Sequence, residues 1–481
     1  DPVTGIDLSW SAPSSLGNGT VSGYKIQIST NGSSWSDEVA DTSSTATTYS
    51  DTGLSSGAQY WYRVAAINEA GLGTYGNEPD LTTVAVADWS TLSNQAYLTE
   101  SSLTHTNEYG KSTTVAFDSF DRAAGGSWGI GSNGSVLYPG QVTVQRRSGT
   151  SWTVEATINR SGNSGDPNYF NFGTACGMNG TGDTLAIGAQ SQLGGAKGYV
   201  YVRSGTSWSS QAIDLQYSGD TTNNRMGSAP GGCDAYGDWV FFGSEQSNPN
   251  NHGACQAWHR SGTTWSQHSL LQNSTVYGPA GWKVGTSVRV QKNGLNTVVD
   301  GTRLVVANQG CPEIPGNSSN SDAGACEVWR YNSSTNVWDE EALLRSPTIA
   351  QNNRFSDASV DINEAGDTII VVDSDRDEVQ IYVRSGTTWS HQKTLTGFVS
   401  IRQQYGSAAV TYDACCVGDT GYRAAGNWLH GKGYVYTRSG TSWTQKLTFH
   451  DNTLNAHTGF GAGAWIKDRA GSTPGYLLMP A

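Results

Sequence analysis

The sequence predicts an all-β protein in two unlike parts, a small sandwich followed by a longer run of repeated sheets. Three observations predict it. Sixty Gly, seventeen Trp and twenty-two Tyr stand beside only 14% charged residues, the composition of short strands joined by tight turns. Helical periodicity is almost absent. One hydrophilic turn recurs: RSGTSW at 147–152, 203–208 and 438–443, RSGTTW at 260–265 and 384–389, and a degraded NSSTNVW at 332–338. At 481 residues the chain exceeds one ordinary core.

Residues 1–84 form the first part. "IDLSWSAP", "VSGYKIQIS" and "QYWYRVAAIN" alternate apolar and polar residues between Gly/Asn/Ser turns, at the spacing of a small β-sandwich. Trp10 stands in the first strand and Tyr24 in the next, while Leu54, Tyr60 and Val64 have the spacing of a tyrosine corner. On these residues the segment resembles a fibronectin type III domain, which implies a spacer or binding module rather than chemistry. The family's first strand is missing or shortened, so a sheet edge is expected to stand open to a strand from upstream sequence or from a neighbouring subunit. The start at Asp1, directly ahead of a strand, reads as a chain that continues upstream.

From residue 86 to 481 the period takes over. Each hairpin is preceded by an alternating strand such as "GYVYVRSG" (198–205), and further upstream by an apolar run such as "LAIGA" (185–189), "WVFFG" (239–243) or "IIVVD" (369–373). Ahead of that comes a small-residue segment closed by a Gly/Asp turn, as in "FGTACGMNGTGD" (172–183). Four strands in this order make a propeller blade. Ser-Gly-Thr supplies the turn, and the tryptophan is expected to cover a blade edge or wedge between blades. Trp89 adds a seventh turn tryptophan without inner strands, and the chain ends in "FGAGAWIKDRAGSTPGYLLMPA" (460–481), an inner pair without an outer half. The two fragments complement each other. They predict a seven-bladed β-propeller whose last blade is closed by the segment around Trp89.

The unit resembles the FG-GAP repeat of integrin alpha propellers. Phe172-Gly173 with "GDTLAIGA" (182–189), Tyr405-Gly406 with Gly418-Asp419, and Phe460-Gly461 with Leu477 and Leu478 carry the likeness. Together with the fibronectin-like part, it looks like large surface proteins of aquatic bacteria and their phages. The resemblance implies calcium loops, D-x-D-x-D-G, between the first two strands of a blade. The equivalents here, "NGTGD", "DAYGD" and "NEAGD", lack the run of carboxylates that oxygen ligation of calcium needs. "DSDRDE" (373–378) has the right alternation at Asp373, Asp375 and Asp377 but lies in another hairpin with Arg376 inside it, and reads as a solvated charged turn. No metal site is predicted, and calcium is the one cofactor left open.

A formal charge of −13 argues against nucleic-acid or anionic-membrane partners, and no apolar run reaches the ~18 residues that span a bilayer. Sialidases carry Asp-boxes in the hairpin that RSGTSW occupies. The aspartate is absent from every copy here, and Arg147, Arg203, Arg260, Arg384 and Arg438 belong to the blade periphery instead of a carboxylate-binding cluster. The eight histidines lack paired spacing, and the cysteines match no zinc pattern. Cys311 and Cys326 flank the loop 308–325 and are expected to form a disulfide; Cys176, Cys233, Cys255, Cys415 and Cys416 stay unassigned. Eight N-x-S/T sequons are no more than this composition gives by chance. Binding is expected from the loops 131–140, 244–253 and 308–325. The expectation is a non-enzymatic, extracellular structural or adhesive protein of a cell or virion surface: a subunit or tip of a filament, an appendage or a virion fibre. Its partners would be neighbouring subunits, a surface protein or glycans. The alternatives are a lectin-like carbohydrate-binding module and a sialidase-like glycosidase.

Overall fold

Strand alternation builds the first unit. The computed structural model describes residues 5–13, 19–52, 54, 59–76, 80–82, 108–115, 119, 121–128, 140–149, 151–159, 172–189, 197–215, 227, 232–244, 253–272, 284–309, 311, 323–348, 355–356, 359–399, 401, 407–419, 431–449, 465–467 and 476–478. The sandwich strands are β1 (Gly5–Ser9), β2 (Gly23–Ser29), β3 (Ser36–Val39), β4 (Thr48–Thr52), β5 (Gln59–Asn68), β6 (Gly71–Leu72) and β7 (Asp80–Thr82). β1 pairs with β4, and a second sheet runs β3-β2-β5-β6 with β7 also on β5. Ile6, Leu8, Ile26, Tyr60 and Tyr62 meet between the sheets, with Trp10, Leu54 and Val64 partly buried against them. Trp10 lies edge-on to Tyr24, ring centroids 5.1 Å apart. The sequence places the tyrosine corner at Tyr60, which is packed in the core. The buried phenol that ties the two sheets belongs to Tyr62, whose OH donates to Asp51 Oδ2 at 2.7 Å.

The second unit is a β-propeller made of four-stranded antiparallel blades, each with its strands in sequence order. Blade 1 holds β8 (Glu108–Val115), β9 (Arg122–Trp128), β10 (Gln141–Ser148) and β11 (Ser151–Asn159). Blade 2 holds β12 (Phe172–Met178), β13 (Thr184–Ala189), β14 (Lys197–Ser204) and β15 (Ser207–Leu215). β16 (Cys233–Tyr236), β17 (Trp239–Ser244), β18 (Ala254–Ser261) and β19 (Thr264–Leu271) make blade 3. β20 (Val284–Val290), β21 (Arg303–Asn308), β22 (Ala325–Asn332) and β23 (Val337–Leu344) make blade 4. Blade 5 is β24 (Val360–Ile362), β25 (Thr368–Asp373), β26 (Glu378–Ser385) and β27 (Thr388–Leu395). Blade 6 is β28 (Ser407–Val410), β29 (Ala414–Asp419), β30 (Lys432–Ser439) and β31 (Ser442–Phe449). A last hairpin pairs β32 (Trp465–Lys467) with β33 (Tyr476–Leu478).

Every residue of β13, β17, β21, β25 and β29 is buried, as expected for a second strand covered on both faces. The third strands were expected to alternate. In β14, β26 and β30 four consecutive residues are buried before the strand emerges at the residue ahead of its arginine, because a neighbouring blade covers each face. The hairpin that follows has a two-residue loop with Gly first, and Gly149, Gly205, Gly262, Gly386 and Gly440 all sit near φ +60°. In the degraded sixth copy Asn336 takes the left-handed position at φ +53°.

The core lies between blades. Five apolar clusters each join two consecutive blades, from the 1/2 junction to the 5/6 junction. Closest approach is backbone to backbone: a Cβ on Gly126 would stand 1.9 Å from Gly173 O, and one on Gly243 would stand 1.9 Å from Gly285 O.

Candidate functional site

At four of the five described blade junctions the repeated tryptophan makes a polar contact to the preceding blade. Trp208 Nε1 donates to Glu155 Oε1 at 3.0 Å, Trp265 Nε1 to Gln211 Oε1 at 2.8 Å, Trp389 Nε1 to Glu341 Oε1 at 2.7 Å and Trp443 Nε1 to Gln392 Oε1 at 2.9 Å. Each acceptor lies three residues past the turn tryptophan of the preceding blade. The acceptor is matched to the residue that opens the second strand of its own blade. Where that residue is Arg122 or Arg303 the acceptor is a carboxylate, Glu155 or Glu341, in a buried ion pair at 3.2 and 2.8 Å. Where it is Thr184 or Thr368 the acceptor is Gln211 or Gln392. In blade 3 the opening residue is Trp239 and the acceptor position holds His268, whose ring lies edge-on to Trp239 at 4.6 Å. Trp338 of blade 4 therefore has no acceptor for its buried N–H.

The turn arginines are spent on backbone and neighbours. Arg203 Nε donates to Gly182 O at 2.9 Å and Arg384 Nε to Gly366 O at 3.1 Å, Arg260 pairs with Asp238, and Arg438 holds Gly440 O and Thr368 Oγ1. These four clamp hairpins at the blade periphery, as the sequence predicts. At the turn where the FG-GAP resemblance implies calcium, an asparagine amide donates to the aspartate instead. Asn179 Nδ2 reaches Asp183 Oδ1 at 2.7 Å and Asn363 Nδ2 reaches Asp367 Oδ1 at 2.8 Å, with Thr184 and Thr368 donating to the same oxygens. In the acidic turn, Asp377 accepts from Ile401 N at 2.7 Å, and Arg376 Nε stands 3.8 Å from Asp373 Oδ2. Among the described residues no cluster of acids, histidines or cysteines fits a metal ion.

The inner strands carry the densest buried charge. Asp234 on β16 accepts from Val290 N of the next inner strand at 3.0 Å, and Asp361 on β24 does the same for Val410 N at 2.9 Å. Lys292, just past β20, pairs with Asp234 at 2.7 Å. Arg289 lies between them in sequence order around the blades. Burial lifts the Asp361 carboxyl to about 7, with Arg289 pulling it down and Asp234 pushing it up. At the root of the longest loop, Glu327 is wholly buried, accepts from Asn308 Nδ2 at 2.7 Å and Trp329 Nε1 at 3.2 Å, and is raised to about 7 by burial. Sequence reasoning singled out neither these four carboxyl and amine positions nor the acceptor three residues past the turn tryptophan, although Glu or Gln recurs there in four copies of the repeat.

The expected Cys311–Cys326 disulfide is not made. Both residues stand as buried thiols. Strand alternation is the reason: Cys311 packs with Ala325 and Leu343, whereas Cys326, one residue on, faces the opposite side with Leu344, Phe355 and Tyr382. Cys311 Sγ lies 3.2 Å from Arg345 Nη2, and burial pushes its thiol up to about 12. Most of the three expected binding loops, residues 131–139, 245–252 and 312–322, lies outside the described residues, as does Trp89.

In the sandwich, the paired sheets, the Trp10–Tyr24 contact and the Tyr62–Asp51 tie coincide with a match to the fibronectin type III domain over residues 3–81. These residues are a fibronectin type III domain. Its β1 pairs only with β4 among the described residues. Trp10 N donates to Thr47 O at 3.1 Å, which continues the register Ser9↔Thr48 and sets the even residues of β1 toward β4. Gly5, Asp7 and Ser9 thus turn their backbone N–H and C=O groups to the open side of the domain. No curated protein matches the chain. Among solved structures, AofleA from Arthrobotrys oligospora is 9% identical with a TM-score of 0.42, over 72% of this chain and 87% of that one. A functionally unknown protein from Desulfotomaculum acetoxidans is 10% identical with a TM-score of 0.43, over 87% and 95%. The GH93 α-L-arabinofuranosidase of Fusarium graminearum is 11% identical with a TM-score of 0.40, over 65% and 88%. Likenesses this faint carry no functional information.

Proposed function

We propose that this chain is a non-enzymatic structural and adhesive component of an extracellular surface assembly, such as a filament subunit or tip, an appendage or a virion fibre. The open edge of β1 carries this reading. Among the described residues, the outward N–H and C=O groups of Gly5, Asp7 and Ser9 have no strand partner, and a strand from a neighbouring subunit would complete the fibronectin type III sheet there. The spent chemistry of the propeller supports the same conclusion. Arg122, Arg303, Glu155 and Glu341 are held in blade junctions, and burial holds the thiols of Cys233, Cys255, Cys415 and Cys416 protonated. The propeller itself we read as seven-bladed and FG-GAP-like. β32 packs beside β28 and β29 of blade 6 and pairs with β33, as the inner half of a further blade would.

Assembly tests the reading. Asp7→Pro removes an outward N–H and leaves the β1–β4 backbone bonds in place, while Asp7→Ala loses only the Ser50 Oγ to Asp7 Oδ1 bond that both variants give up. Sedimentation and negative-stain microscopy of the wild type and of Asp7→Ala should show concentration-dependent oligomers, and Asp7→Pro should give monomer with the melting temperature of Asp7→Ala. A wild type that stays monomeric at high concentration would remove the strand-exchange basis, and turnover of sialosides or other glycosides would replace it with an enzymatic one.

A further inference from the structure

Lys292 and Asp234 differ from every other described ion pair in one respect: an amine meets a carboxylate with both side chains buried, 5% and 1% exposed. Lys25–Asp37 lies open to water, and the buried pairs Arg122–Glu155 and Arg303–Glu341 use a guanidinium that stays protonated. Removed from water together, an ammonium and a carboxylate both lose hydration, a cost that condensation to a neutral amide removes. Passage of a proton from Nζ to Oδ1 along their hydrogen bond gives the amine and the acid that condense.

We propose that Lys292 Nζ and Asp234 Cγ condense into an isopeptide bond that staples blade 4 to blade 3. The geometry brings the reactants together. Nζ lies 2.7 Å from Oδ1, which puts it within about 4 Å of Cγ, so that a small rotation of the carboxyl brings it to near-attack distance. Its direction is fixed by a second bond to Ala235 O and by the Tyr236 ring, 5.4 Å away. The backbone after Lys292 is pinned as well, because Tyr236 OH donates to Asn293 Oδ1 at 2.7 Å and accepts from Asn296 N at 2.9 Å.

In the reaction, the Nζ lone pair attacks Cγ, the Nζ–Cγ bond forms and the Cγ–Oδ1 bond breaks. Oδ1 departs as water, taking the acid proton and one amine proton, and nothing is oxidised or reduced. Oδ2 carries the negative charge of the tetrahedral adduct. It already accepts from Val290 N at 3.0 Å, a fixed donor that strengthens as the charge develops. In the product the same N–H remains bonded to the amide oxygen, so the inner-strand contact survives.

The inference is independent of the proposed surface role, and mass spectrometry tests it on the purified full chain. The denatured wild type should weigh less than its sequence by one water, and proteolysis should yield the Lys292 and Asp234 peptides joined. Lys292→Arg should return to the sequence mass. Asp234→Asn condenses with loss of ammonia and should end at the same mass as the linked wild type. A wild type at its sequence mass with both peptides unlinked would overturn the proposal, as would a water loss that maps elsewhere. Neither variant needs to fold well for the wild-type measurement to decide.

Discussion

Trp338 has no acceptor for its indole N–H because the position that holds Glu or Gln at four other junctions holds His268. Trp389 fills the same role one blade on and donates to Glu341. Both rings pack at a blade junction, Trp338 buried against Trp239, Phe241 and Tyr331 and Trp389 half-buried, but only Trp389→Phe leaves a buried acceptor short of a donor. Trp389→Phe should therefore cost about 1 kcal/mol beyond its lost apolar contact, a term that Trp338→Phe does not carry, read from urea midpoints at constant m. Glu341 is a harsher test. Glu341→Ala strands the buried Arg303 and should cost roughly 3–5 kcal/mol, while Glu341→Gln keeps an acceptor for Trp389 and should cost less.

Glu327 sets a pH dependence at the same scale. Its folded pKa, about 7, lies above the ordinary carboxyl value of 4.5, so the folded state binds the proton more tightly than the unfolded one. That contribution is fully present below the unfolded pKa and is lost as pH rises through the folded one. Asp361, also raised to about 7, acts in the same direction. Stability should fall from about pH 4.5 to above 7, by on the order of 2–3 kcal/mol from Glu327. Glu327→Gln should flatten the slope of melting temperature against pH, and Glu327→Gln with Asp361→Asn should flatten it further. The groups facing Glu327, namely Cys255, Cys311, Cys326 and Glu340, have pKa values raised further by burial or by its own charge, and they do not titrate against this trend in the window.

At the scale of elements, glycine does two different jobs. Gly243 on β17 faces Gly285 on β20 so closely that a methyl group would overlap backbone, which cannot retreat. Gly386 in the hairpin meets nothing within 4 Å and matters only for its φ of +60°. Gly243→Ala should prevent the 3/4 junction from closing and cost several kcal/mol, whereas Gly386→Ala should cost about 1 kcal/mol; thermal melts of the two variants check the order. The sequence made the hairpins legible because Ser-Gly-Thr and the following tryptophan are local signals with one geometric meaning. The buried second strands were legible for the same reason. The third strands were misread as alternating because sequence alone shows Tyr and Val in "GYVYVRSG" but not the neighbouring blade that covers both faces. The disulfide was misread because loop ends that approach in sequence fall on opposite faces of β22. Asp234, Lys292 and Asp361 gave no signal, since isolated charges acquire meaning only when inner strands of different blades are brought together.

On the scale of the whole molecule, the distribution of core decides how the chain unfolds. Ile6, Leu8, Ile26, Tyr60 and Tyr62 make a core inside the fibronectin type III domain, whereas each propeller cluster is shared by two blades. A blade such as blade 3 contributes Cys233, Val240 and Phe242 to one junction and Tyr236, Phe241 and Ala257 to the next, so losing it exposes apolar surface on both neighbours. Single-blade intermediates are therefore unfavourable, and the propeller should unfold as one cooperative unit, separate from the sandwich. Calorimetry should resolve two transitions. Tyr62→Phe, which removes the tie to Asp51, should lower one of them by a few degrees and leave the other in place. Gly243→Ala should shift the whole of the second transition without splitting it, although the substitution touches only the 3/4 junction. A third transition in that variant, or a wild-type propeller that melts in steps, would mean that the blades are energetically separable and that the shared cores do not couple them.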